Sequence, residues 1–204
     1  MTSRALATDV SRETQDRLST FVKLLKTWNQ AINLVARTDE HDLWTRHVAD
    51  SLQVFELSPE TKQSWLDLGS GGGFPGLVVA IVAAEKQPDL SVTLIESDAR
   101  KSAFLRTVVR EAGLKTTVLP TRIERASPQG ADVISARALA ALTKLLGLAS
   151  RHGTPNTTYL FPKGENWKKE IAEAQKTWRF NAEPITSRTN ENAVILRLKE
   201  VIHV

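Results

Sequence analysis

Apolar residues recur at three- and four-residue spacing through Leu18, Phe21, Val22, Leu25, Trp28 and Ile32. Such a stripe belongs to an amphipathic helix whose apolar face lies on a larger body. Ser11 stands just ahead of it as an N-cap, because a serine hydroxyl satisfies amides that a first helical turn leaves unpaired. After Asn33-Leu34-Val35 a second helix is predicted from Thr38 or Asp39, with Leu43, Trp44, Val48, Leu52 and Phe55 inward and a stop before Pro59. Residues 1–60 are therefore expected to form a helical extension packed on a main domain of residues 61–204.

From Trp65 onward short apolar runs alternate with helical periodicity, the pattern of a parallel sheet covered by helices. Strands are predicted at Trp65–Leu68, Val92–Glu96, Thr116–Pro120, Asp132–Ala136, Thr158–Phe161, Ala182–Thr186 and Ala193–Lys199. The helices between them are predicted at Gly76–Ala84, Ala99–Ala112, Leu139–Ala149 and Asn166–Trp178. The last two strands are joined by Ser187 to Asn192 with no helix, so they are expected to form an antiparallel hairpin at one edge of an otherwise parallel sheet. The expected class is α/β.

Between the first strand and its helix lies Asp67-Leu68-Gly69-Ser70-Gly71-Gly72-Gly73-Phe74-Pro75-Gly76. A glycine-rich turn here lets the chain reverse sharply and brings main-chain N–H groups close to a ligand. Gly71, Gly73 and Gly76 satisfy the G-x-G-x-x-G spacing of dinucleotide sites, which keeps a nicotinamide-dependent oxidoreductase open as an alternative. Asp67-x-Gly69-x-Gly71-x-Gly73, however, resembles the D-x-G-x-G-x-G pattern of Rossmann-like class I S-adenosylmethionine-dependent methyltransferases. An acid beside the loop suits a ligand bearing a sulfonium and an ammonium better than a pyrophosphate, which favours open amides at a helix N-terminus. Glu96 ends the second strand, where a carboxylate can accept both hydroxyls of a ribose.

Composition narrows the chemistry. The 204 residues are enough for one sizeable core. Lys and Arg number 27 against 23 Asp and Glu, a net charge of +4 that permits a polyanionic partner. No cysteine is present, so thiolate nucleophiles and thiolate metal sites are excluded. The four histidines show no ligand spacing, and no metal site is expected. Met1 to Val10 does not read as a secretory signal, and the apolar run Leu77 to Ala84 is far short of the roughly 20 residues that span a bilayer. A cytoplasmic protein is expected.

Several segments together resemble one family, the bacterial ribosomal RNA small subunit methyltransferase G, also called glucose-inhibited division protein B. They are Ile32-Asn33-Leu34-Val35-Ala36, Arg46-His47-Val48-Ala49-Asp50-Ser51-Leu52, the Asp67–Gly76 loop, Glu96-Ser97 with Arg100-Lys101 and Phe104-Leu105, Ser135-Ala136-Arg137-Ala138, and Lys163-Gly164. The resemblance implies methyl transfer from S-adenosylmethionine to N7 of a guanosine in the 530 loop of 16S rRNA. It implies that Asp67, Gly69, Ser70, Gly71 and Phe74 of the loop hold the cofactor, together with Glu96 at the ribose and Ile123 and Glu124 at the adenine. Arg137 is implied as the ligand-contacting and catalytic arginine, although many members read S-R-A where this chain has Ser135-Ala136-Arg137-Ala138.

Arg46, His47, Arg122, Arg125 and Lys163 fall at the presumed C-terminal edge of the sheet and are candidate RNA contacts. His47, Asp50 and Ser51 share one side of a helical turn, which fits a polar network packing the extension over the loop equally well. Expected partners are 16S rRNA or the small ribosomal subunit, the protein itself being a monomer. A third possibility is a ribosome-assembly factor that binds RNA without catalysis.

Overall fold

The computed structural model describes residues 10–36, 39–59 and 63–204. Helix α1 (Arg12–Asn29) is capped as expected, with the Ser11 hydroxyl accepting from the Thr14 amide, and buries Leu18, Phe21, Val22 and Leu25. Thr38, one predicted start of the second helix, lies outside the described residues. Asp39 caps that helix by accepting from the Asp42 amide at 2.7 Å. The helix α2 (residues 40–56) is not uniform. Glu40–Asp42 is α-helical, Leu43–Val48 is wound as a π-helix, and Ala49–Glu56 returns to α. A π segment widens the helix and redirects its side chains, and such segments gather at functional positions. This one carries Arg46 and His47.

The rest follows the alternating pattern. In chain order come β1 (Ser64–Leu68), α3 (Gly76–Lys86), β2 (Ser91–Ile95), α4 (Ala99–Glu111), β3 (Thr116–Leu119) and β4 (Ala131–Ser135). Then follow α5 (Leu142–Ala149), β5 (Gly153–Lys163), α6 (Trp167–Ala174), β6 (Trp178–Thr186) and β7 (Val194–His203). The seven strands lie in the order β3-β2-β1-β4-β5-β7-β6. The first five are parallel, β7 runs antiparallel to β5, and β6 completes the antiparallel edge hairpin. Chain order reverses between β1 and β4, the switch point where ligands bind beyond the strands' C-terminal ends.

The two faces of the sheet bury different elements. Helices α1 to α4 share one apolar cluster that includes Phe21, Trp65, Leu77, Ile81, Leu94 and Phe104. Helices α5 and α6 cover the other face around Leu66, Ile134, Leu146, Phe161 and Leu196. Trp28 packs on Phe104 and Trp65 stacks on Phe55, so both rings serve the core as expected.

Several boundaries differ from expectation, among them the start of β6 at Trp178 rather than Ala182 and the end of β7 at His203 rather than Lys199. Helix α6 ends at Ala174 rather than Trp178, because Trp178 and Phe180 alternate inward as the first residues of β6. Helix α5 starts at Leu142 rather than Leu139, since the chain passes through a left-handed backbone at Ala138 (φ +53°) before turning. Strand β5 begins at Gly153 rather than Thr158. Its polar start hid it, and Thr157 becomes buried by donating its hydroxyl to the Ala131 carbonyl at 2.6 Å.

Candidate active site

The glycine loop turns at the tip of β1. Gly69 has φ +64°, a left-handed backbone that favours glycine, and a Cβ there would come within 2.6 Å of the Leu139 side chain and displace its tip. A Cβ on Gly72 would meet the Leu34 carbonyl oxygen at 2.9 Å, which shows how closely the N-terminal segment rests on the loop. Beside the loop opens a cleft of about 500 Å³, within the usual range for small-ligand sites.

Most of the expected cofactor residues line this cleft: Gly69, Ser70, Gly71, Phe74, Glu96, Ile123, Glu124 and Arg137. The Glu96 carboxylate is fixed from behind, one oxygen accepting from the Gly71 amide at 2.9 Å and the other from the Asp98 amide at 2.8 Å. Each oxygen keeps a further lone pair for a ligand. Ile123 and Glu124 sit on a short 3₁₀ turn, Ile123–Arg125, anchored where His152 meets the Ile123 carbonyl at 3.0 Å and Arg151 donates to the Glu124 carbonyl.

Asp67 does not reach the cleft. It lies wholly buried beneath the loop, where one oxygen accepts from the Ser135 hydroxyl at 2.6 Å. Ser135 in turn accepts from the Trp65 indole at 2.8 Å, and the second Asp67 oxygen finds no hydrogen-bond partner among the described residues. Burial pushes this carboxyl up to about 6, with the Ser135 hydrogen bond the main influence restraining the rise. Its place ties the tips of β1 and β4 together under the loop.

Arg137 is the junction of the site. Its guanidinium lies over the Phe74 ring, 4.9 Å from the centroid, and its Nη1 meets His47 Nδ1 at 2.9 Å. Burial, followed by the charge of Arg137, lowers His47 to about 4, so the imidazole is neutral at pH 7 and accepts the arginine N–H. Ser51 donates to the His47 carbonyl at 2.7 Å, and Asp50 accepts from Ser187 at 2.9 Å and Thr189 at 2.5 Å. His47 through Arg137, and Asp50 through Ser187 and Thr189, thus tie α2 to the sheet edge, while the Ser51 bond stays within the helix.

The expected RNA contacts divide. Arg122 stands exposed at the cleft mouth, Arg125 is exposed one turn beyond, and the exposed Arg46 pairs with Asp42 at 3.6 Å. Lys163 is turned inward, its ammonium held by Glu170 at 2.8 Å and the Ala140 carbonyl at 2.9 Å, and His47 is engaged by Arg137. Sequence reasoning gave no role to Leu34, Val35, Leu139 and Lys144, which also line the cleft. Only the I-N-L-V-A segment carried a signal for the first two, and it came without a location.

The model of the family described as rRNA small subunit methyltransferase G matches residues 14–194. The chain is 57% identical to the ribosomal RNA small subunit methyltransferase G of Ruegeria sp. (strain TM1040), over 98% of this chain and 97% of the relative. It is 51% identical to the protein of that name from Ruegeria pomeroyi, over 96% of each. Its fold is similar to that of a SAM-dependent methyltransferase from Aquifex aeolicus, with a TM-score of 0.60 at 15% identity over 87% of this chain and 97% of that one.

Proposed function

Because the chain belongs to the rRNA small subunit methyltransferase G family, we propose that it methylates N7 of a guanosine in the 530 loop of 16S rRNA. It is an S-adenosylmethionine-dependent rRNA methyltransferase. A nicotinamide oxidoreductase and a non-catalytic assembly factor are not favoured by that membership. The observation that carries the reading is the cleft at the switch point, with a pinned carboxylate, Glu96, on one side and a caged arginine, Arg137, on the other.

The residues suit the cofactor. Glu96 would accept the ribose hydroxyls, the apolar Ile123 and neighbouring Glu124 would take the adenine, and Gly69 to Gly71 with Phe74 would border the methionine part. Asp67 would act from beneath, its negative charge favouring the cationic groups above. When bound, S-adenosylmethionine supplies a methyl group activated by a sulfonium. That methyl would be supplied to the guanine N7 lone pair, with the C–S electron pair left on sulfur. No proton leaves N7, so the protein needs alignment rather than a general base. Arg137 provides alignment: neutral His47 and the Phe74 ring hold its guanidinium between the cleft and the adjoining surface.

N7 faces the major groove, which A-form RNA makes inaccessible, so the target must lie in an opened loop. Arg46, Arg122 and Arg125 would hold such a loop by its phosphates. The partner is 16S rRNA, free or in the small subunit, met by a monomer in the cytoplasm. Among the described residues no helix is long and apolar enough to cross a membrane.

The test is incorporation of labelled methyl from S-adenosylmethionine into unmodified 16S rRNA, alone and in subunits, by wild-type and Arg137→Ala protein. Borohydride-aniline cleavage, which cuts at N7-methylguanosine, maps the product. Label in one guanosine of the 530 loop, greatly reduced by the substitution, is expected. Label elsewhere, or none with either substrate, would remove the proposal.

A further inference from the structure

A second cavity of about 530 Å³ adjoins the first, and Arg137, Ala138, Leu139 and Ala140 line both. Its other walls come from the end of β5, the β6–β7 hairpin, Glu170 of α6 and Asp50 of α2. Pro162, Val194 and Ile195 add apolar lining to it. The two cavities thus share the Arg137–Ala140 segment as a common border.

The polar groups in this cavity are unequal in what they leave available. The Lys163 ammonium is taken by Glu170 and the Ala140 carbonyl, and the Glu170 oxygen Oε2 also accepts from the Leu142 amide at 2.8 Å. Asp50 uses Oδ1 for both hydroxyls, from Ser187 and Thr189, while Oδ2 makes no hydrogen bond among the described residues. Arg137 commits Nη1 to His47 and keeps its other N–H donors. The cavity therefore presents the Arg137 guanidinium as a donor group and Asp50 Oδ2 as an acceptor held in place by its partner oxygen.

We propose that this cavity receives the target guanine, with Arg137 donating to O6 and Asp50 Oδ2 accepting from N1–H and the 2-amino group. The inference rests on the methyltransferase reading and names what makes it selective. Guanine offers an acceptor at C6 beside a donor at N1. Adenine offers the reverse and would set donor against donor and acceptor against acceptor. Contacts along this edge leave N7 free for the methyl group. Methylation places a positive charge on the purine, and a carboxylate at N1–H stabilises that charge as it develops. Asp50 thus acts as a specificity-determining residue contributed by the N-terminal helices, with no part in holding S-adenosylmethionine.

The experiment uses small subunits reconstituted with 16S rRNA carrying guanosine or inosine at the target position; inosine lacks only the 2-amino group. Single-turnover methyl transfer and the heat of S-adenosylmethionine binding are measured for wild type, Asp50→Asn and Ser187→Ala. Wild type is expected to prefer guanosine by about tenfold, in line with the worth of a paired base contact. In Asp50→Asn the two hydroxyls hold the amide oxygen, so the amide N–H₂ faces the base. The preference should fall to within about twofold with cofactor binding unchanged. Ser187→Ala, which weakens the hairpin contact but keeps the carboxylate, should retain the preference. An undiminished preference in Asp50→Asn, even with slower transfer, overturns the inference and leaves Asp50 a structural role. Wild-type protein that binds S-adenosylmethionine yet leaves guanosine unmethylated overturns the underlying reading, a result recognisable because it requires no variant.

Discussion

Replacing Ser135 by Ala removes the hydroxyl between Asp67 and Trp65 without altering the cleft lining. The serine is fully buried, donates to Asp67 at 2.6 Å and holds the Trp65 indole at 2.8 Å. A hydrogen bond to a charged group contributes about 1.5–3 kcal/mol, and an orphaned buried N–H costs a further 1–3 kcal/mol or so, giving a loss of roughly 3–5 kcal/mol at pH 8. Asp67 also makes this loss depend on pH. Its folded-state value of about 6 exceeds the ordinary 3.8, so the native state holds an extra proton within that window. The stabilisation contributed by the neutral acid is full below the window and is lost as pH rises through about 6. Without the serine the carboxyl rises further and stays protonated at higher pH. The gap between wild type and variant should therefore widen from pH 5 to pH 8. Urea unfolding followed by tryptophan fluorescence measures it at both pH values. A gap under about 1 kcal/mol at pH 8, or one equal at the two pH values, would refute the argument.

Three further outcomes follow from the same geometry. Histidine NMR should show His47 titrating near 4, and Arg137→Ala should move it upward by removing the cation, which ranks after burial among the causes. The neutral imidazole's contribution to stability is present above its ordinary 6.5 and falls away as pH drops toward 4. Gly72→Ala must displace the Leu34 carbonyl, 2.9 Å from the new methyl, and should cost about 1–3 kcal/mol in urea unfolding. Glu96→Ala deletes the anchored ribose acceptor and should weaken S-adenosylmethionine binding at least tenfold by calorimetry, about the value of one charge-assisted hydrogen bond.

The sequence made the sheet legible because its strands are nearly continuous apolar runs and its loop glycines have few other uses. It misplaced β5 because Thr157 enters the core through a hydrogen bond rather than through hydrophobicity. The end of α6 was misread because Trp178 continues the three- and four-residue spacing of Ile171 and Ala174, although with Phe180 it opens the alternation of β6. In the site, Glu96, Phe74 and Arg137 were visible as strand-end or motif residues. Asp67 was visible too, but its depth was not: a motif gives spacing, whereas the Ser135 and Trp65 partners come from a neighbouring strand and its own strand. The inward turn of Lys163 depends on Glu170 seven residues away, and the role of Leu34 on a contact across nearly 40 positions.

That contact between Leu34 and Gly72 makes the chain's front end a wall of the binding chamber rather than an appendage. A molecule filling the chamber touches both parts and works as a clasp, so saturation should slow amide hydrogen exchange around Leu34 as well as in the glycine turn. Compounds that wedge the two apart would disable the enzyme without resembling its substrates.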